Sequence, residues 1–170
     1  MVATMIVLRI IHVGCGVFWA GTLIFNALFL EPSVRAAGPE GGKVMQAIIQ
    51  RGFLNVMPVV AFLTIASGTT MYWVVDPTFR MWMYTGWHFT LAFGGVIAIV
   101  AFLLGVFVMR PSVLKAGALA QGVAALPEGT ERQARMAEVQ RLRKRAAVAG
   151  RVVATLLAVA VLAMAVARYA

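Results

Sequence analysis

Acidic residues are scarce in this chain. Six aspartates and glutamates stand against 15 lysines and arginines in 170 residues, and all charged side chains together make up 12%, about half the share found in soluble domains. A single cysteine, Cys15, excludes an intramolecular disulfide and a cysteine-built metal cluster. The motifs G-x-x-x-x-G-K-[ST], G-x-S-x-G, H-E-x-x-H and C-x-x-C-H do not occur. Their absence removes the usual signatures of phosphate cradling, serine hydrolysis, zinc proteolysis and covalent haem attachment. Glu31 and Asp76 fall at opposite ends of the expected bundle, so they do not form a carboxylate pair. The apolar runs lack the broken helices and midplane charges of a transporter; Thr22, Asn26, Thr64 and Ser67 are the only polar candidates there. No cleavable leader is expected, because the first apolar run is too long and ends in Glu31-Pro32 rather than a small-residue cleavage site.

What is present is hydrocarbon. The chain is 62% hydrophobic, with a mean hydropathy of +0.89. The excess gathers into four runs, 10–30, 53–75, 87–109 and 152–167. About 20 apolar residues cross about 30 Å of bilayer core at 1.5 Å per residue. The fourth run is shorter, but Arg151 and Arg168 flank it and can reach the two interfaces. The expectation is an all-α, integral membrane four-helix bundle forming one membrane domain. Its spans lie at about 5–31, 53–75, 86–109 and 150–168, with a long loop over 110–149. Proline bounds two spans: Pro32 is expected to end the first and Pro111 the third, since proline lacks a backbone donor and disfavours helix in the residue before it. Gly38-Pro39 and Gly41-Gly42 read as turns. No internal repeat is visible beyond the alternation of apolar runs.

A net charge of +9 invites a nucleic-acid reading, but the distribution of charge argues for topology instead, with no nucleic-acid partner. Twelve basic residues fall on one side of a four-span bundle: Arg35, Lys43 and Arg51 in the first loop, then Arg110, Lys115, Arg132, Arg135, Arg141, Arg143, Lys144, Arg145 and Arg151 in the third. Arg9, Arg80 and Arg168 fall on the other. The positive-inside rule places both termini outside, in a multi-pass protein of a bacterial-type inner (plasma) membrane. Thr130 with Gln133 fits a capping box and opens a helix that runs into the fourth span. Met136, Val139 and Leu142 recur along that cytoplasmic extension among basic residues. Such an amphipathic stretch favours either an anionic lipid surface or a docking partner.

Helix 1 carries the most informative pattern. His12, Cys15, Trp19, Thr22 and Asn26 are spaced 3, 4, 3, 4, which puts all five on one helix face. Lipid offers such a stripe no hydrogen-bond partner, so it is expected to face protein. The second histidine, His88, opens the third span. Counted from the outer entry points, both histidines lie about 5 Å deep, a placement that suits axial ligation of a haem. Gly14, Gly16, Gly94 and Gly95 give room for a flat macrocycle or for close helix packing. The same histidines with Cys15, Met81 and Met83 compose a competing copper set, since soft sulfur ligands suit Cu(I).

The residues Leu8-Arg9-Ile10-Ile11-His12, Phe18-Trp19-Ala20-Gly21, Phe25 and Leu30-Glu31-Pro32, with Ser67-Gly68 and Trp87-His88, resemble the CopD-like four-helix membrane superfamily. That superfamily includes copper-resistance CopD domains and HemJ-type protoporphyrinogen oxidases. The resemblance implies haem b on His12 or copper handling across the membrane. HemJ-type enzymes need a lysine after the third-helix Trp/His segment. Thr90 stands there, and Lys43, Lys115 and Lys144 all lie in loops, which argues against oxidase activity. Three readings follow. One is a haem b protein in electron transfer or porphyrin chemistry, with His12 and His88 as ligands and Trp19 and Gly16 beside them. The second is a copper protein using His12, His88, Cys15, Met81 and Met83. The third is a cofactor-free subunit docking with other membrane subunits.

Overall fold

With few polar side chains to satisfy it, the backbone over the apolar runs must bond to itself, and every regular element among the described residues is helical. The computed structural model describes residues 2–75, 77–78, 86–123 and 126–169. Five helices are continuous through their local irregularities: α1 (Val2–Ala36), α2 (Gly38–Gln50), α3 (Phe53–Val75), α4 (Trp87–Val123) and α5 (Thr130–Tyr169). All but α2 are long and apolar enough to cross a membrane, and the protein is an all-α membrane helical bundle.

Side-chain size sets the packing. α1 runs antiparallel along α3, and α4 antiparallel along α5; α5 also touches α1, and α3 meets α4 more lightly. α1 and α4 therefore stand at opposite corners. The core gathers Trp19, Ala20 and Leu23 from α1, Met57 and Ala61 from α3, Ala98 and Ala101 from α4, and Val153, Leu157 and Ala160 from α5. Small residues predominate because helices in lipid gain by approaching closely. A Cβ on Gly94 would sit 3.2 Å from the Ala160 carbonyl oxygen and 3.1 Å from Met164 Cγ. Val17, Phe62, Phe107 and Leu162 stand exposed on the perimeter, where acyl chains would meet them.

Neither Pro32 nor Pro111 ends its helix. Each follows a π-helical turn, Asn26–Leu30 before Pro32 and Gly105–Met109 before Pro111. The Glu31 N–H bonds back to the Asn26 carbonyl and the Arg110 N–H to the Gly105 carbonyl, five residues away in each case. A proline ring collides with the carbonyl four residues earlier and has no N–H to offer it. The residue added by a π turn moves that carbonyl, Leu28 or Phe107, out of the way. The two sites share more than this turn. Pro32-Ser33-Val34 with Ala37-Gly38 recurs as Pro111-Ser112-Val113 with Ala116-Gly117, 79 residues later. A local repeat thus marks the basic ends of the two helices, contrary to the expectation of none.

α2 begins at Gly38, whose φ of +61° makes the expected turn. Gly41-Gly42 lies inside the helix instead, and at Gly41 a Cβ would strike the Val34 backbone, so the glycine there serves close approach and not a turn. At the far end of the chain, α4 continues past Pro111 to Val123, and its last limb, Arg110–Val123, packs on α5. Val139 and Leu142 are buried in this two-helix projection together with Ser112, Ala116 and Val123. Their apolar face is therefore taken by α4 and does not lie on a lipid surface; Met136 alone of the three stays exposed. The capping box is absent as well. The cap of α5 is Gly129, whose carbonyl accepts from the Gln133 N–H at 3.1 Å, and no side chain caps the helix.

Gly150 sits where the projection joins the bundle. A Cβ there would meet only Met109 Sδ at 3.6 Å, an ordinary contact, and the backbone is helical. Gly150→Ala is expected to stabilise the protein by about 0.5–1 kcal/mol through helix propensity and a less free unfolded chain. Thermal unfolding in detergent measures this, and a lowered midpoint would refute it.

Candidate functional site

Helical spacing turns the polar stripe of α1 toward the protein. Trp19 is buried, and His12, Cys15, Thr22 and Asn26 are all partly covered. Opposite them, α3 presents Thr64, Ser67 and Gly68. His12 Nδ1 lies 2.8 Å from the Thr64 carbonyl oxygen. A carbonyl only accepts, so Nδ1 carries the proton, and in the neutral ring Nε2 keeps its lone pair. The ring occupies a seat left by the absent side chain of Gly68: a Cβ there would fall 2.7 Å from Cε1 and 2.9 Å from Nδ1.

The seat is polar but satisfied. Thr64 Oγ1 donates to the Val60 carbonyl at 2.9 Å, and Ser67 Oγ donates to the Leu63 carbonyl at 2.6 Å while lying 3.1 Å from that of Thr64. Both residues are buried. One turn further along α1, a Cβ on Gly16 would meet Thr64 Cγ2 at 3.4 Å. Gly16 and Gly94 therefore serve helix contact, whereas Gly14 and Gly95 open onto empty space.

Trp19 plugs the core. It lines a small apolar cavity of about 30 Å³ with Met57, Ala61, Phe102 and Val153, room for about one water. His88 stacks its ring on neighbouring Trp87, centroids 3.6 Å apart and planes tilted by 33°, while Thr90 Oγ1 donates to the Gly86 carbonyl at 3.3 Å. His12 and His88 sit on the two helices at opposite corners. Measured from the repeated Pro-Ser-Val motif, His12 lies 20 residues away and His88 lies 23, a difference of about one turn. His12, Cys15 and His88 are not gathered into one group; among the described residues no three His, Cys, Asp or Glu side chains converge as metal ligands would. Met81 and Met83 lie outside the described residues.

Sequence reasoning noted Thr64, Ser67 and Gly68 without pairing them with His12. The available signal was their clustering over one helical turn of an apolar span, which demands a protein partner by the argument used for the α1 stripe. Also missed was Arg110, whose Nε donates to the Leu54 carbonyl at 3.1 Å and whose Nη2 donates to Asn55 Oδ1 at 3.0 Å. Leu54 is the residue four before Pro58, which has no N–H to give it. Comparison with known proteins yields no matching family model, no matching curated protein and no matching solved structure.

Proposed function

We propose that this protein holds a redox cofactor, haem b, through Nε2 of His12, and that it serves electron transfer or porphyrin chemistry as a multi-pass protein of a bacterial-type plasma membrane with both termini outside. The observation that carries the reading is the hydrogen bond from His12 Nδ1 to the Thr64 carbonyl. Ligating histidines usually donate their second ring N–H to a carbonyl or carboxylate, which fixes the tautomer and the ring plane. An intramembrane ionisable group held in this way points to function. Bound haem would supply one-electron chemistry, tuned by its axial ligand and by burial. The chain's own part is to orient His12 with Thr64 and Gly68. The placement of α1 and α4 at opposite corners favours His12 as the principal ligand, with His88 as a second ligand only across the bundle.

The visible spectrum of the detergent-purified protein tests this reading. A Soret band that His12→Ala abolishes, while helical circular dichroism is retained, is the expected result. Stoichiometric copper in a colourless protein would replace the reading with copper handling. A colourless, metal-free protein that co-purifies with other membrane subunits would replace it with a structural role.

A further inference from the structure

Where α4 passes through its π turn, Gly105–Met109, it leaves a groove against α5. The groove is shallow and open on its outer side, spans about 440 Å³, and is lined by Leu104 and Val108 of α4 and by Arg141, Lys144, Arg145, Val148, Ala149 and Val152 of α5. Its composition is graded along the axis. Cations occupy the end toward the helical projection, and valines and leucine occupy the end toward the span. Arg151 marks the start of the apolar stretch of α5, so the Lys144 and Arg145 backbones stand about 9–10.5 Å beyond it, a few Å outside a headgroup layer about 5–7 Å thick, which their long side chains can reach back to meet. Arg141 is paired with Glu138 at 2.8 Å. Among the described residues, Lys144 and Arg145 have no carboxylate partner, although both flank an apolar floor on which Val148 and Val152 are left exposed.

We propose that this groove binds one anionic phospholipid, with its phosphate on Lys144 and Arg145 and the start of an acyl chain against Leu104, Val108, Val148 and Val152. Charge complementarity selects the occupant. Two basic side chains without a carboxylate partner call for an anion, and the apolar continuation into the bilayer calls for one that carries a hydrocarbon tail. An acidic soluble peptide would match the cations but not the floor, and a neutral lipid would match the floor but not the cations. The site lies at the basic end of the molecule and is independent of the His12 seat.

The full chain, purified in non-ionic detergent, is titrated with phosphatidylglycerol or phosphatidylcholine, and retained lipid is counted by native mass spectrometry. Phosphatidylglycerol is expected to be retained at one per chain and phosphatidylcholine not. Each basic residue near an anionic surface contributes about a five-fold factor. The charge of Arg141 is already offset by Glu138, so the triple variant Arg141→Gln/Lys144→Gln/Arg145→Gln should bind about 25-fold more weakly. A variant of equal charge change outside the groove, Arg132→Gln/Arg135→Gln/Arg143→Gln, in which Arg132 and Arg135 are already paired with Glu128 and Glu131, should lose at most about five-fold. An equal loss in both variants would mean diffuse attraction and overturn the proposal. Val148→Trp keeps every charge and fills the groove, so it gives an independent reading if the triple variant does not fold. Weaker retention supports the site, and unchanged retention removes it.

Discussion

Arg110→Ala is expected to lower stability by about 2–4 kcal/mol, an unusually large effect for a side chain near the end of a span. Pro58 deprives the Leu54 carbonyl of its normal donor on α3, and Arg110 Nε supplies one from α4 at 3.1 Å. Its Nη2 adds a bond to Asn55 Oδ1 at 3.0 Å. Hydrogen bonds from a charged donor are worth about 1.5–3 kcal/mol each, and a buried carbonyl left without a partner costs about 1–3. Arg110→Lys, which keeps the charge but loses the two-pronged geometry, should cost about half as much. A second change separates this account from a general charge effect. Pro58→Ala returns an N–H to the Leu54 carbonyl, so in that background Arg110→Ala should cost at least about 1 kcal/mol less. Strict additivity of the two substitutions in thermal unfolding would show that Arg110 does not stand in for the missing donor.

That pair also explains which parts of the molecule were legible beforehand. Apolar length and charge placement located four spans, since both follow from the energetics of lipid and are local in sequence. The inward face of α1 was equally legible, because His12, Cys15 and Trp19 keep helical spacing. The helix ends at Pro32 and Pro111 were misjudged. The rule that proline stops a helix presumes an unbroken i→i−4 ladder, and each π turn changes the ladder just before the ring. One wrong boundary then produced another. With α4 ended at Met109, the apolar face of Val139 and Leu142 is left open to lipid or to a separate docking partner, whereas the Arg110–Val123 limb of the same chain covers it. Residues that act on another helix's backbone, such as Arg110 on Leu54, leave almost no mark in sequence. The proline that orphans the carbonyl and the arginine that meets it are 52 positions apart.

The His12 seat has the same character, since its decisive residue is a glycine with nothing to recommend it except the space it leaves. Gly68→Ala is expected to cost about 2–4 kcal/mol and to abolish any cofactor band. The added Cβ would lie 2.7 Å from His12 Cε1 and 2.9 Å from Nδ1, closer than two carbons can approach. The ring must then leave its place, breaking the 2.8 Å bond to the Thr64 carbonyl. Overpacking of this kind costs about 1–3 kcal/mol, and the lost hydrogen bond about 1 more. The sign of the effect should depend on His12. In a His12→Ala background the seat is vacant, and Gly68→Ala should become neutral or stabilise by about 0.5–1 kcal/mol, the ordinary gain of alanine over glycine within a helix. Thermal unfolding of the four proteins in this cycle, read together with their visible spectra, distinguishes a seat made for an imidazole from a glycine retained for helix contact alone. If Gly68→Ala is equally damaging with and without the histidine, the seat is a packing site, and the functional reading of His12 loses its support.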